Sequence, residues 1–397
     1  MRRQSMKKKT LSKVVAGALV GIMSMSMLAG CGGSDSSSTS SANSGGSSTS
    51  ASTSAGSSTS ASNSSGGDSA AAGDITIAML PKFKGENYFD ACRGGAEEAA
   101  EELGIELLYD GPSQDQATNQ KQVDILEGWI AQGVDAIVVS PNDPTAIAPT
   151  LQKAQDAGIK VLTFDADAQA DSRDLFVNQI SADAAAKGLL DAAATDLKEK
   201  GYGPDKPANI ALVSSTGTDA NQNAWTEAIK GLLETDEYSF MVIQNEDTDI
   251  YYPGTDETQV NSEAATLIGR MGEGEDQIQC AIALSSMATP ALGAQYQSAS
   301  SKPDASKITL TGLATPNALK TYIKDESNPL NIGVLWNCAD LGYLAIQSAY
   351  QMVTGDITSD STSINAGRLG EKAIENKECI LGDALVFDAS NVDEFDY

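Results

Sequence analysis

Apolar runs and amphipathic segments alternate along the chain from about residue 74 onward. Short runs rich in Ile, Val, Leu and Ala, such as 75–80 and 136–140, predict buried strands. Segments with apolar residues at helical spacing, such as 92–103, lie between these runs, and glycine ends several of them. Strands that alternate with helices predict an α/β fold in which helices cover both faces of a parallel sheet.

The same order of elements restarts at about residue 210. A chain of this length exceeds what one hydrophobic core supports, so we predict two doubly wound parallel-sheet lobes joined by a hinge. The acidic stretch 247–258 is predicted to be an exposed loop. We expect lobe one at about 74–179 and 337–366, lobe two at about 180–336, and a return across the hinge at 367–397.

Residues 1–30 have the layout of a secretory signal. A basic start precedes an apolar stretch over 14–28, which is too short for a membrane-spanning helix of about 20 residues. Two small residues then precede Cys31, and this arrangement resembles the lipobox of bacterial lipoproteins. The resemblance implies that Cys31 is acylated and becomes the mature N-terminus. An ordinary signal peptide with an incidental cysteine is the alternative.

After Cys31, residues up to 73 are almost entirely Ser, Thr, Gly and Ala. Such a segment has little apolar surface to bury, so it is predicted to be a disordered tether. A lipid on Cys31 followed by this tether predicts a protein held at the outer face of the cytoplasmic membrane. The globular domain at 74–397 then needs no membrane-binding surface of its own.

The composition argues against several classes of function. The 397 residues include 54 acidic and 26 basic side chains, for a formal net charge of −28, whereas nucleic-acid binding needs clusters of Lys and Arg. The chain contains no His, which rules out His-dependent triads and His-ligated zinc. A calcium-loop-like start at Asp165 lacks the required glycine and glutamate, since Ala170 and Phe176 stand there. We therefore expect no enzyme activity, no metal and no cofactor.

Four cysteines beyond Cys31 permit three disulfide pairings, and spacing does not choose among them. Because they lie far apart inside predicted helices or strands, buried free thiols are favoured. These cysteines are Cys92, Cys280, Cys338 and Cys379.

Candidate ligand-binding residues follow the predicted strands, because ligands of parallel sheets bind beyond the carboxyl ends of the strands. The set mixes planar hydrogen-bonding groups with aromatic rings, which suits a small polyhydroxylated molecule. The alternatives are that the aromatic residues are core, that the lysine only neutralises the first aspartate, and that the amide residues and the second aspartate cap helices. The candidates are Lys82, Tyr88, Phe89, Asp165, Asn221, Gln222, Ser285, Asn337 and Asp340.

Eight short segments, in order, resemble the type I periplasmic solute-binding proteins of ABC sugar importers, most closely the rhamnose-binding and autoinducer-2-binding subgroup. The resemblance implies a two-lobe clamp that captures a sugar, delivers it to an ABC permease in the membrane and leaves it chemically unchanged. We expect a monomer. The segments are 77–82, 109–112, 138–141, 162–165, 221–225, 315–317, 335–337 and 395–397.

The resemblance also bears on the ligand. Autoinducer-2 receptors hold their ligand with a Lys, an Asp, an Asp-Gln pair and a Pro-Asp-Ala segment, and Lys82, Asp165 and Gln222 match three of these positions. Asn221 replaces the paired Asp, and 284–286 reads Leu-Ser-Ser instead of Pro-Asp-Ala. These departures count against autoinducer-2. The runs 221–225 and 335–343 look more like the sugar-binding branch, so the resemblance favours a monosaccharide such as rhamnose. An autoinducer-2-binding protein, a sugar receptor for a chemosensory or kinase partner, and an extracellular enzyme remain alternatives.

Overall fold

The computed structural model describes residues 75–397. The predicted signal peptide, Cys31 and the predicted tether at 31–73 lie outside this range. Within it, the α/β class with parallel sheets is confirmed. Ten helices and fifteen strands are described, together with 3-10 turns at Gln114–Gln116, Ala170–Ser172, Gly367–Leu369 and Val392–Glu394.

The first lobe is an eight-stranded sheet in the order β12-β13-β14-β5-β4-β3-β1-β2. Its helices are α1 (Asn87–Leu103), α2 (Asn119–Gln132), α3 (Ala148–Asp156) and α10 (Cys338–Thr354). Its strands are β1 (Thr76–Leu80), β2 (Glu106–Tyr109), β3 (Ala136–Val139), β4 (Lys160–Phe164), β5 (Leu175–Asn178), β12 (Ser363–Asn365), β13 (Glu371–Glu375) and β14 (Glu378–Ile380).

Alternate side chains of the central strands pack into two different cores. Ile77 and Met79 of β1 join the core that contains residues of α1 and α10. Ala78 and Leu80 join a smaller core that contains residues of α2 and α3. Because side chains of a strand point to opposite faces in turn, a strand that is apolar at every position needs helices on both sides.

The second lobe has a sheet in the order β10-β9-β6-β7, with β8 also paired to β6. Its helices are α4 (Ala182–Glu199), α5 (Ala220–Leu233), α6 (Glu246–Asp249), α7 (Glu257–Arg270), α8 (Ala288–Ser298) and α9 (Pro316–Ile323). Its strands are β6 (Ala208–Val213), β7 (Met241–Val242), β8 (Ile250–Tyr251), β9 (Cys280–Ala283) and β10 (Thr309–Gly312), followed by the antiparallel pair β11 (Gly333–Leu335) and β15 (Leu385–Phe387).

The chain passes between the lobes three times, at about 179–181, 336–337 and 381–384. The C-terminal segment does more than return across the hinge, since β13 and β14 extend the first sheet before β15 pairs with β11. Asn376 and Lys377 join β13 to β14 with φ values of 54° and 60°, as a two-residue hairpin turn requires.

The stretch 247–258 is not only the exposed loop that its acidic composition predicts. It contains the end of α6 and all of β8, whose Ile250 is buried and pairs with Leu212 of β6. Asp249 is buried as well, and its Oδ1 accepts a hydrogen bond from Arg270 at 2.7 Å. The acidic side chain therefore serves as an internal ion-pair partner.

The four described cysteines are buried free thiols. This agrees with the interpretation favoured from their spacing. The residues are Cys92, Cys280, Cys338 and Cys379.

Helices α1 and α10 cross at very close range. A Cβ atom on Gly95 would lie 1.7 Å from the carbonyl oxygen of Ala339, and one on Gly342 would lie 1.8 Å from that of Cys92. Both obstacles are backbone atoms, which a side-chain rotation cannot move. The contact fixes the start of α10, directly after a hinge crossing, against the first lobe.

We predict that Gly342→Ala lowers stability by about 1–3 kcal/mol or more, because the added methyl group must push the two helices apart. Gly94→Ala is the matched control, since a Cβ there meets nothing within 4 Å. That substitution should leave stability unchanged or raise it by up to about 1 kcal/mol. Denaturant unfolding of both variants measures the difference, and equal effects would contradict the close approach.

Candidate functional site

A cavity of about 350 Å³ lies where loops at the carboxyl ends of strands from both sheets meet. This volume falls within the range of small-molecule sites. Lobe one contributes Lys82, Phe83, Tyr88, Phe89, Ala117, Asn119, Asn142, Asp143 and Asp165. Lobe two and the hinge contribute Ser215, Thr216, Thr218, Asp219, Asn221, Gln222, Trp225, Thr255, Leu284, Ser285, Ser286, Met287, Leu313, Leu335 and Trp336.

Seven of the nine predicted site residues line this cavity: Lys82, Tyr88, Phe89, Asp165, Asn221, Gln222 and Ser285. Asn337 and Asp340 do not. Asn337 caps α10 by accepting a hydrogen bond from the backbone N–H of Asp340 at 3.1 Å. The Asp340 carboxylate accepts a hydrogen bond from Arg368 at 2.5 Å. Asn337 therefore caps α10, and Asp340 lies in an ion pair with Arg368.

Asp165 is held from several directions. Its carboxylate accepts hydrogen bonds from the Tyr88 hydroxyl at 2.8 Å and the Ser140 hydroxyl at 2.6 Å. Its φ is 61°, and the N–H of Ala166 donates to the carbonyl of Phe164 at 2.6 Å, so Asp165 is the centre of a three-residue turn. Strained turns of this kind concentrate at functional sites.

A continuous aromatic wall runs from the first lobe to the second. Phe83 contacts Phe89 (5.4 Å between ring centroids), Phe89 contacts Tyr88 (5.0 Å), Tyr88 contacts Trp336 (6.0 Å), and Trp336 contacts Trp225 (5.8 Å). The indole N–H of Trp336 donates to the Tyr88 hydroxyl at 3.0 Å. Both tryptophans were absent from the predicted site. The signal available was an aromatic residue directly after the apolar run 332–335.

Lys82 lies between two carboxylates from different lobes. Its Nζ is 3.1 Å from Oδ2 of Asp219 and 3.7 Å from Oδ2 of Asp165. Burial lowers the pKa of Lys82, but the two carboxylates outweigh this effect and raise the pKa overall. For Asp219, burial raises the pKa, but Lys82 and backbone N–H groups outweigh this effect, and the pKa lies below its ordinary value. The ammonium group is protonated, and the two carboxylates already balance its charge. It is therefore a poor site for an anionic ligand.

The first turn of α5 presents two amide side chains. Asp219 caps this helix by accepting the N–H of Gln222 at 3.0 Å, so Asn221 and Gln222 are not the caps. Oε1 of Gln222 accepts hydrogen bonds from the Ser214 hydroxyl at 2.8 Å and the Ser215 N–H at 2.6 Å. These two bonds leave the Gln222 amide hydrogens for a ligand.

Two asparagines of the first lobe complete the polar lining, and neither was predicted. Asn142 donates from Nδ2 to the carbonyl of Lys82 at 3.0 Å, and its backbone N–H donates to Oε1 of Gln122 at 2.9 Å. Oδ1 of Asn119 is buried and has no hydrogen-bond partner among residues 75–397. An unpaired buried acceptor is costly, and a ligand hydroxyl would satisfy it.

The second lobe and the hinge also contribute an apolar surface. Leu284, Met287, Leu313 and Leu335 line the cavity together with the two tryptophans. These side chains offer no strong hydrogen-bond partner to a hydroxyl group. The cavity therefore combines polar groups with a region that suits C–H groups of a ligand.

Glu86 lies at the seam between the lobes. Its side chain caps α1 by accepting the N–H of Tyr88 at 3.1 Å, and the hydroxyl of Ser286 from the second lobe also reaches it. Burial raises the pKa of Glu86 to about 7, although hydrogen bonds from Ser286 and the backbone lower it in part. A carboxyl group here takes up a proton near neutral pH.

The described residues were also compared with the requirements of a metal site and of a membrane-spanning helix. Within 75–397, no group of three or more Cys, Asp or Glu side chains is arranged to hold a metal ion. In the same range, no helix has both the length and the apolar character that crossing a membrane requires.

The chain belongs to the periplasmic binding protein family, since residues 77–357 match the family's periplasmic binding protein domain. One segment is 35% identical over 91 residues to the D-ribose/D-allose-binding protein of Pseudomonas aeruginosa, covering 22% of this chain and 28% of that protein. Another is 30% identical over 122 residues to the galactofuranose-binding protein YtfQ of Escherichia coli, covering 30% and 37%. The matches thus span well under half the length of these curated relatives.

Solved structures match over most of the chain. A sugar ABC transporter protein from Actinomyces odontolyticus is 30% identical with a TM-score of 0.65, over 81% of this chain and 98% of that one. LsrB from Clostridium saccharobutylicum in complex with AI-2 is 25% identical with a TM-score of 0.73, over 81% and 100%. A solute-binding protein from Clostridium phytofermentas with bound L-rhamnose is 27% identical with a TM-score of 0.70, over 81% and 97%.

We predict that Glu86→Gln removes a pH dependence of stability. Because the folded-state pKa of about 7 exceeds the ordinary value of 4.5, the folded protein binds the extra proton, and stability falls as the pH rises through this interval. The loss is at most about 3 kcal/mol. Unfolding curves from pH 5 to about pH 8 measure it. Glu101→Gln, on an exposed position of α1, is the control, and parallel curves for wild type and Glu86→Gln would refute the assignment.

Proposed function

We propose that this protein is the sugar-binding component of an ABC importer. It captures a monosaccharide by closure of the two lobes and delivers it, chemically unchanged, to a membrane permease. The observation that carries the proposal is the cavity between the lobes, where carboxylate and amide groups face an aromatic wall. Membership of the family and the sugars named for the matching proteins support it.

The charges favour a neutral ligand. Lys82 is paired with Asp165 and Asp219, so the three groups together carry one negative charge. An anionic sugar would meet net repulsion, whereas the hydroxyl groups of a neutral sugar find acceptors and donors at Asp165, Asn119 and Gln222. The Ser140 hydroxyl that donates to Asp165 is fully buried and is not among the residues that line the cavity, so this pair offers no accessible nucleophile, which supports a binding role over an enzymatic one.

The apolar region supports a deoxyhexose, and L-rhamnose is our first candidate. A methyl group fits beside Leu284, Leu313 and Leu335, where a hydroxyl group would lose its hydrogen bonds to water. The matching structure with bound L-rhamnose agrees with this choice. Autoinducer-2 is the second candidate, because Lys82 and Gln222 match the receptor pattern and a matching structure holds AI-2.

We further propose that the mature protein is a monomer anchored outside the cytoplasmic membrane by a lipid on Cys31. The Ser/Thr/Gly-rich segment up to 73 then links the lipid to the binding domain and keeps that domain near the permease. Mass spectrometry of the membrane fraction tests this part, since acylation adds a defined mass to Cys31 and Cys31→Ala abolishes it.

We predict that Asp165→Asn raises the dissociation constant for the bound sugar at least about tenfold, because a charged acceptor is replaced by a neutral one. Asn is preferred to Ala here because it tolerates the positive φ of 61°. Titration calorimetry measures the change. Asp171→Asn, at an exposed position of the same lobe, is the control. Equal affinities for wild type and Asp165→Asn would remove Asp165 from the binding site.

We predict that L-rhamnose binds more tightly than L-mannose, from which it differs only by a methyl group in place of the hydroxymethyl group. Desolvating the extra hydroxyl against the leucines costs about 1–3 kcal/mol, or roughly fivefold to 150-fold in affinity. A thermal-shift screen of pentoses, hexoses, deoxyhexoses and AI-2, followed by calorimetry, tests this. Tighter binding of L-mannose would contradict the role of the apolar region, and preferential binding of AI-2 would establish the second candidate.

A further inference from the structure

Lys82 and Asp219 join the two lobes directly. Lys82 follows β1 in the first lobe, and Asp219 begins α5 in the second. Their side chains are only 17% and 11% exposed, and Nζ lies 3.1 Å from Oδ2. A second bond crosses the same boundary in the opposite sense, since Nδ2 of Asn221 donates to the backbone carbonyl of Asp165 at 2.6 Å. The start of α5 is therefore bound to the first lobe at two points.

Both ions of the pair keep a partner when the lobes separate. Lys82 retains Asp165, which belongs to its own lobe and lies 3.7 Å away. Asp219 retains its capping bond to the N–H of Gln222 at 3.0 Å. Opening therefore leaves neither charge buried and unpaired, and the contact can form and break reversibly.

Asp219 also has its two carboxylate oxygens assigned to protein groups. Oδ1 accepts the N–H of Gln222, and Oδ2 accepts the ammonium of Lys82. Asp219 also lines the cavity, but both of its oxygens are already bonded to protein groups. It shares no hydrogen bond with Tyr88 or Ser140, which orient Asp165.

We propose that Lys82 and Asp219 form an ionic latch that stabilises the closed state, with Asp219 acting as a positioning residue and not as a ligand contact. This inference rests on the proposed closure around a sugar. A protein that binds only when closed has an apparent affinity proportional to its closed fraction. The latch thus contributes to affinity without touching the ligand, and it weakens as salt screens the ions during closure.

Asp219→Asn tests the latch, because asparagine keeps the helix cap and removes only the charge. The expected result with L-rhamnose as probe is an about tenfold higher dissociation constant, produced mainly by faster dissociation. Wild-type affinity should fall as NaCl rises from about 50 to about 500 mM, and this dependence should be flatter in Asp219→Asn. Asp256→Asn is the matched control, since Asp256 caps α7 in the same lobe through an equivalent 2.9 Å bond and has no lysine partner.

Hydrogen exchange of the ligand-free protein supplies a readout that needs no sugar. We expect Asp219→Asn to speed exchange in both 82–89 and 219–225, which lie in different lobes, whereas Asp256→Asn changes only its own helix. Wild-type exchange and affinity in Asp219→Asn would overturn the latch. Loss of binding without faster exchange would overturn it too, by making Asp219 a ligand contact. If the wild type binds no sugar, the proposed function fails while the exchange experiment still decides the latch.

Discussion

Three charged groups lie largely out of solvent where the lobes meet, and each has an opposite charge beside it. The side chains of Lys82, Asp165 and Asp219 are 17%, 8% and 11% exposed. An isolated buried charge is far more costly than a paired one, and in this arrangement the loops after β1, β4 and β6 bring opposite charges together. Tyr88 and Ser140 supply the remaining bonds to Asp165. The geometry of the cavity follows from this pairing requirement.

The hinge and the cavity share a residue. Trp336 lies between β11, which belongs to the second lobe, and α10, which is fixed to α1 by the contacts at Gly95 and Gly342. Its indole donates to Tyr88 in the first lobe and its ring contacts Trp225 in the second. A rotation of the second lobe must therefore move one of these contacts. Ligand atoms that hold the aromatic wall together would bias the hinge in the same direction.

Most of the fold was predictable because periodicity reports burial. The strands predicted at 75–80 and 136–140 are observed at Thr76–Leu80 and Ala136–Val139. The missed elements have too little apolar sequence to produce a pattern. Strand β8 has two residues, and β13 has only Ile374 buried among charged neighbours. Their existence depends on pairing with distant strands, which no local window contains.

The sequence predicted which loops line the cavity, but not always which side chains of a loop do so. The rule that ligands bind beyond the carboxyl ends of strands selected the loop after β6. The residue at which α5 begins then decides which residues of that loop contact the first lobe. Because Asp219 is the cap, Asn221 and Gln222 fall in the first turn, where one reaches Asp165 and the other reaches Ser214. A cap two residues later would rotate these side chains by about 200°. The cap itself is local, but the contact that Asp219 makes with Lys82, 137 residues away in sequence, is not contained in any local pattern.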